Sequence, residues 1–297
     1  MPLSGEAYAL LAALAFALST VFTRQFSVGS GGRRPVAPEV GVLVSLSTDL
    51  VVFGALAAPE LRHGLGARLD LQAVALFMVG AVVASMLGRN LAYASVKRVG
   101  AGRSTAIRLC NTVFAAAVGW VWLRDLPRPW QLVGAAMVTV GLWVVVTERE
   151  GWRDSVDWRG LAAAVGAALA FALGDTARRA GLQLLPSAAV GAFVGVWAAL
   201  PVQLLWLRPW RWRRDAVRQL WRPDVLAGGF FNTLALLLLF FAVQRTPVAN
   251  AAALYNLQVL IVIALGRWML RGEDPGGLRL VGGSALAVAG ALAVLWG

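Results

Sequence analysis

AALAFAL stands at residues 12–18, inside YALLAALAFALSTVFTRQ, and the same seven letters return at 167–173, inside AAVGAALAFALGDTARRAG. In an Ala- and Leu-rich chain such an echo carries little by itself, so its weight depends on how far the match extends. It extends along both halves. At a shift of 155, Gly5 falls on Gly160 and Arg24 on Arg179. Farther on the shift is 148, as a shorter first loop in the second half requires: YASVKRVGAG falls on FAVQRTPVAN, Asp125 on Glu273 and Gly134 on Gly282. The chain therefore reads as two copies of one unit, residues 1–147 and 160–297, joined by a charged linker at 148–159.

What each copy is follows from its composition. The 297 residues are 59% hydrophobic and 14% charged, with mean hydropathy +0.70. Soluble domains carry about a quarter charged residues, whereas the apolar runs here are of the length, roughly 20 residues, that crosses a bilayer as a helix. GVLVSLSTDLVVFGALAA and VLAGGFFNTLALLLLFFAV are two such runs. Backbone in hydrocarbon must satisfy its own hydrogen bonds, so the runs are helices. Ten are expected, near 6–28, 38–58, 72–95, 103–123, 130–147, 160–182, 188–207, 224–245, 249–270 and 279–296, with Gly/Pro/Arg-rich connections between them. Five helices per copy is an odd number, so the second copy enters the membrane from the opposite side. The expected fold is an all-α integral membrane protein of ten transmembrane helices in two inverted five-helix repeats, an architecture associated with alternating access. The Ala/Gly-rich stretches 160–182 and 279–296 are expected at close helix contacts. The opening MPLSGEAY lacks a basic n-region, so the first run reads as a retained span.

The net charge of +12 sits between the apolar runs. That pattern sets membrane orientation and contact with anionic lipid headgroups and argues against a nucleic-acid partner. Most of the excess lies on the odd-numbered connections, which places those in the cytoplasm and both termini outside. Cys110 is the single cysteine and His63, in a loop, the single histidine, so no intrachain disulfide, metal site or cofactor is expected. No paired carboxylates or nucleophile–base constellation lies in the spans, so the chain does not read as an enzyme.

Charged groups inside a span are costly and default to functional candidates. Asp49, in VSLSTDLVVF, and Asp175, which stands where the first copy has Thr20, are the acids placed well within helices. They are the proton- or ion-coupling candidates. Arg89 and Arg108 lie at similar depth on consecutive, antiparallel helices, and their planar forks suit a carboxylate or phosphate. The competing reading is a structural ion pair of Asp49 with one of them. Arg24, Arg178 and Arg179, nearer helix ends, are expected to reach out to the interface. Ser104, Arg108, Asn111 and Thr112 share one helix face. Tyr255, Asn256 and Gln258 occupy the equivalent helix of the second copy, with Asn256 aligned to Arg108. Matching positions at a repeat interface are where a solute site is lined, so Arg89, Arg108, Asn111, Tyr255 and Asn256 form the expected cavity. Ser85, Ser284 and Thr233 read as interhelical glue. Trp197 is mid-span and is the expected cavity aromatic. Trp122, Trp130, Trp152, Trp158, Trp206, Trp210, Trp212 and Trp221 fall at helix ends, as an interfacial belt does, and the Arg/Trp stretch 208–222 is expected along lipid headgroups. Asp125 and Glu273 end matching helices and are expected to be structural or gating residues.

GWVWLRD (119–125) followed by QLVGAAMVTVGLWVVV, and RWMLRGE (267–273) followed by LRLVGGSALAVAGALAVL, carry a family likeness. On them the chain resembles the drug/metabolite transporter superfamily, in its ten-helix EamA-type branch. The resemblance covers almost the whole chain. It departs in two respects: the Glu-Pro common early in the fourth helix is replaced by Asn111-Thr112 and by Val259-Leu260, which takes away the proline that would kink that helix, and the resemblance implies termini inside where the charge count places them outside. The resemblance implies solute transport through a central cavity between the halves. Together with the arginines, the expectation is a secondary transporter or exporter of a small anionic or zwitterionic metabolite, such as an amino acid, in the plasma (inner) membrane. The alternative is a flippase or carrier for a phosphate-bearing lipid or sugar conjugate. The implied partners are a small-molecule solute and the lipid bilayer, and a homodimer is compatible with either reading.

Overall fold

The structure, a computed structural model, describes residues 3–28, 36, 38–62, 70–99, 107–124, 127–149, 157–206, 221–269 and 278–296. These residues form ten helical spans. They are α1 (Gly5–Val28), α2 (Pro38–Arg62), α3, α4 (Asn111–Leu123), α5 (Pro129–Arg149), α6 (Trp158–Leu184), α7 (Ala188–Trp206), α8 (Pro223–Arg245), α9 and α10 (Leu278–Trp296). Two of them are composite. The third, α3, runs Leu71–Ala81, then a π-helical stretch Val82–Gly88, then Arg89–Val99, and α9 runs Val248–Asn256 and Gln258–Met269 with Leu257 between. Six helices are long and apolar enough to cross a membrane, and four shorter apolar helices accompany them. The ends carry local signals. Asp70 and Asp157 cap α3 and α6 by accepting from Gln72 N and from Arg159 N and Gly160 N, Pro223 opens α8, and Arg124 closes α4 in the left-handed region at φ 55°.

The two repeats are interleaved. The first helix of each packs along the third helix of the other: α1 on α8 and α6 on α3. The two contacts correspond residue for residue. Ser19 of α1 donates to the Gly228 carbonyl of α8 at 2.9 Å. Its counterpart at a shift of 155, Gly174, lies so close to α3 that an added Cβ would stand 2.8 Å from the Gly80 carbonyl and 2.4 Å from the Ala84 Cβ. Gly80 and Gly228 are themselves 148 apart. One site uses a hydroxyl and the other an absent side chain to bring the same two backbones together, as close packing in a bilayer requires. The fifth helices, α5 and α10, pair with one another. A Cβ on Gly134 would be 2.6 Å from Gly290 O and one on Gly141 2.5 Å from Gly283 O, and the relationship is mutual at Gly290 and Gly134. The main core lies where the repeats meet and includes Phe53, Phe77, Leu142, Val190, Val243 and Leu254.

Candidate functional site

The fourth helix of each repeat is broken, and at the same position. Before α4, Cys110 N bonds Ile107 O and Thr112 N bonds Leu109 O, both three-residue steps. In α9, Leu257 N bonds Leu254 O and Leu260 N bonds Leu257 O. Leu109 and Leu257 are 148 apart, the repeat shift. Neither break contains the proline that the resemblance associates with it, so the absence of that proline does not straighten the helices. Side chains that cross between the repeats stand there instead. Asn256 Nδ2 donates to Asn111 Oδ1 at 2.8 Å and to Thr112 Oγ1 at 3.1 Å, and Asn111 Nδ2 donates to the Tyr255 hydroxyl. All four residues are buried. A discontinuous helix facing its repeat counterpart exposes half-helix ends in the middle of a bundle, where polar solute groups can use them.

A second polar group adjoins the first through Tyr255, whose hydroxyl faces Asp175 and lies within the electrostatic reach of Arg108. Asp175 of α6 forms an ion pair of 2.5 Å with Arg178, one turn on, and the other guanidinium nitrogen donates to Ser85 Oγ at 3.0 Å. The Arg178 guanidinium also lies over the Phe240 ring, 5.4 Å from its centroid. Ser85 sits in the π-helical stretch of α3, where the widened turn faces α6. Such stretches are often found at functional sites. Asp49 of α2 has Arg89, Arg178 and Thr233 as its neighbours and is 0% exposed. Thr233 donates to Gly229 O rather than to Asp49, Arg89 donates to Ser45 Oγ at 3.3 Å, and neither Asp49 oxygen accepts a hydrogen bond.

Of the expected site residues, Arg89, Arg108, Asn111, Tyr255, Asn256, Asp49 and Asp175 thus fall into two adjoining clusters. The expected ion pair of Asp49 with Arg89 or Arg108 does not form among the described residues; the buried pair is Asp175 with Arg178. Arg178 is a correction. It was expected to reach the interface, but its side chain turns inward to Asp175, Ser85 and the Phe240 ring and is only 4% exposed. Its i, i+3 spacing from Asp175 was the available signal. Arg179 is also drawn inward, with one guanidinium nitrogen on Val243 O and on Thr246 O. Trp197 is a second correction. It is 57% exposed and meets Phe193 edge-on, and Pro201, Leu204 and Leu205 on the same face of α7 are exposed with it. It faces away from the bundle. Ser284 is half-buried, while Thr233 is buried and bonded to its own helix. Asp125, Glu273, His63, Ser104, Trp152, Trp210 and Trp212 and most of 208–222 lie outside the described residues, as does the Arg24 side chain. The Asn90–Gln203 contact of 3.4 Å between α3 and α7 had no forerunner in the sequence reading.

The face of the bundle where α1 starts and α6 and α8 end is held together by contacts between the repeats and within the second one. Glu6 accepts from Thr246 Oγ1 at 2.8 Å, Arg245 lies over the rings of Tyr8 and Phe241, and Arg179 holds the end of α8. On the same face Ser187 donates to Glu60, and Gln244 donates to Pro186 O at 3.0 Å. At the opposite face, Arg98 at the end of α3 pairs with Asp157 at the start of α6, at 3.1 Å and in solvent.

A family model described as the EamA-like transporter family matches residues 3–147 and 158–296. A solved structure described as "Crystal structure of protein" is similar in fold, with a TM-score of 0.75 at 16% sequence identity, covering 98% of this chain and 96% of that one. No curated protein matches the chain.

Proposed function

The chain belongs to the EamA-like transporter family, and from that premise we propose that this multi-pass membrane protein carries a small anionic or zwitterionic organic solute by alternating access between its two repeats. The observation that carries the reading is the matched pair of breaks at Leu109 and Leu257, bridged by Asn111, Thr112, Tyr255 and Asn256. The solute's polar groups take over from this bridge when they bind. Arg108, within electrostatic reach of Tyr255, and Arg89, beside Asp49, supply the positive charge for a carboxylate, and a guanidinium fork binds such a group in two places. The contacts at the α1 face support a state accessible from the opposite side, and a cycle then opens the Glu6–Thr246 and Arg179 contacts while closing the other end. The experiment is uptake by the purified protein in liposomes, with radiolabelled amino acids, organic acids and nucleotide sugars offered one at a time. Saturable uptake of a small acid or amino acid, lost in Asn111→Leu and Arg108→Ala, is expected. Movement of a polyprenyl phosphate across the bilayer in its place would support a lipid flippase and overturn this reading.

A further inference from the structure

Among the described residues, three charged side chains are fully withdrawn from solvent in the middle of the bundle: Asp49, Asp175 and Arg178. They are two acids and one base. The base is committed, with one guanidinium nitrogen on Asp175 at 2.5 Å, another on Ser85 at 3.0 Å and its plane over Phe240. The excess negative charge therefore resides on Asp49, both of whose oxygens are buried and accept no hydrogen bond. The groups that face it can be named element by element. From α3 comes Arg89, turned to Ser45 one turn before Asp49 on α2, and from α6 comes Arg178. From α8 comes Thr233, whose hydroxyl bonds its own helix, and the acid and base of that helix, Asp224 and Arg245, lie at its ends. The helix α7, which packs along α2, carries no titratable side chain.

An unpaired carboxylate in such a place is among the most expensive groups a fold can keep, and ionisable residues retained inside a membrane mark ion and proton paths. A metal cation is a poor occupant, because hard cations need several oxygen ligands and the side chains that face Asp49 are the Arg89 and Arg178 guanidiniums and a Thr233 hydroxyl bonded to its own helix. A proton needs no further ligands. We propose that Asp49 is the proton-binding group of the transport cycle, and that Asp175 remains ionised throughout as the fixed counter-ion of Arg178. The inference rests on the transport reading and adds its coupling ion. Binding one proton to an Asp49 oxygen removes the charge that faces Arg89, which leaves that guanidinium to a solute carboxylate. Proton release returns the charge and expels the solute. Proton and anionic group thus bind together.

Infrared difference spectroscopy of the full-length protein, between acid and alkaline buffer, reads carboxyl protonation without any solute. A protonated-carboxyl band that titrates in the wild type, is missing in Asp49→Asn and is retained in Asp175→Asn is the expected result. Thermal unfolding of each variant checks that it is folded. If Asp175→Asn does not fold, the wild type and Asp49→Asn alone decide: a band that persists in Asp49→Asn, or that never appears in the wild type, overturns the assignment. In liposomes, a proton gradient drives accumulation of a radiolabelled amino acid or organic acid by the wild type, and Asp49→Asn loses that accumulation. Accumulation driven by a sodium gradient in place of protons overturns the proposal. If no solute moves under any gradient, the transporter reading falls, while the infrared result still decides the proton site.

Discussion

Asn256 on α9 donates through its Nδ2 to both Asn111 and Thr112 on α4, so two residues from matching helices of the two repeats share one hydrogen-bonded bridge. Replacing one partner leaves a buried amide unsatisfied, whereas replacing both leaves an apolar contact. Asn111→Leu and Asn256→Leu are each expected to cost about 1 kcal/mol in the membrane, where such bonds are modest. The double variant is expected to recover most of that loss and still fail to transport. Thermal unfolding in detergent and uptake in liposomes, compared across the four proteins, check both halves of the expectation.

The pair formed by Asp175 and Arg178 is as deeply buried and carries full charges, so the same asymmetry should be larger there. Removing one member of a buried pair costs roughly 3–5 kcal/mol because the other charge remains, while apolar replacement of both is often close to neutral. Arg178→Met should therefore be the most destabilising single change in the bundle centre. Adding Asp175→Leu to it should raise the unfolding midpoint again. An unfolding midpoint for the double variant below that of Arg178→Met would show that the pair is held for some reason other than mutual neutralisation.

These two clusters mark the boundary of what the sequence made legible. The ten spans and the repeat were readable because a bilayer imposes a length and a hydropathy on every helix, and a shift of 148 or 155 preserves both. The breaks at Leu109 and Leu257 were not readable. Neither contains Pro or Gly, and the side chains that stand at them come from the other repeat, which a local pattern cannot display. Arg178 was misplaced because nearness to a helix end does not show which way a side chain turns, and this one turns inward to Asp175 and Ser85. Trp197 was placed at the right depth and on the wrong side. A helix that is apolar all round gives no indication of which face meets lipid.

The contact of α5 with α10 allows a sharper test of packing, because the same substitution should have opposite signs at two glycines. Ala is favoured over Gly inside a helix by about 1 kcal/mol. At Gly282 of α10 nothing lies within 4 Å of an added Cβ, so Gly282→Ala is expected to stabilise. At Gly141 of α5 the added atom would stand 2.5 Å from Gly283 O and 2.6 Å from Ala287 N, and backbone cannot give way as a side chain tip can. Gly141→Ala should lose roughly 1–3 kcal/mol, the usual cost of overpacking. Unfolding midpoints of the two single variants decide it.

Asp157 has two tasks at the solvent-exposed start of α6. It caps the helix through Arg159 N and Gly160 N, and it pairs with Arg98 at the end of α3. The Arg98 hydrogen bond, with the two backbone donors, holds its carboxyl below the usual carboxylate range. A lowered folded-state value means that the contribution is present above the unfolded value and is lost as pH falls through the folded one. Asp157→Ala should therefore lower the unfolding midpoint more than Asp157→Asn, which keeps a cap. The gap between Asp157→Asn and the wild type should narrow in strong acid and in high salt, where an exposed ion pair is screened. A gap that is constant with both pH and salt would leave only the cap.

The contacts at the α1 face give the last prediction. Arg179 reaches from α6 to the Val243 and Thr246 carbonyls at the end of α8, and Thr246 in turn donates to Glu6 on α1. Three helices from both repeats are joined through one short chain of contacts, with Arg245 stacked over Tyr8 and Phe241 beside it. If this chain keeps the α1 face shut, cutting it shifts the population of states without touching the Asn111–Asn256 bridge, which lies in the bundle centre. Arg179→Ala and Glu6→Ala should each expose a cysteine introduced at the buried Ala13 of α1, in a Cys110→Ser background, to a charged thiol reagent added from that face. Ala13 carries a single methyl group and no hydrogen bond, so the replacement adds one sulfur atom and removes no polar contact. Labelling rates measured with and without each gate variant give the shift directly. Equal rates in all three proteins would mean that the contacts at this face are structural and that the face opens by another route.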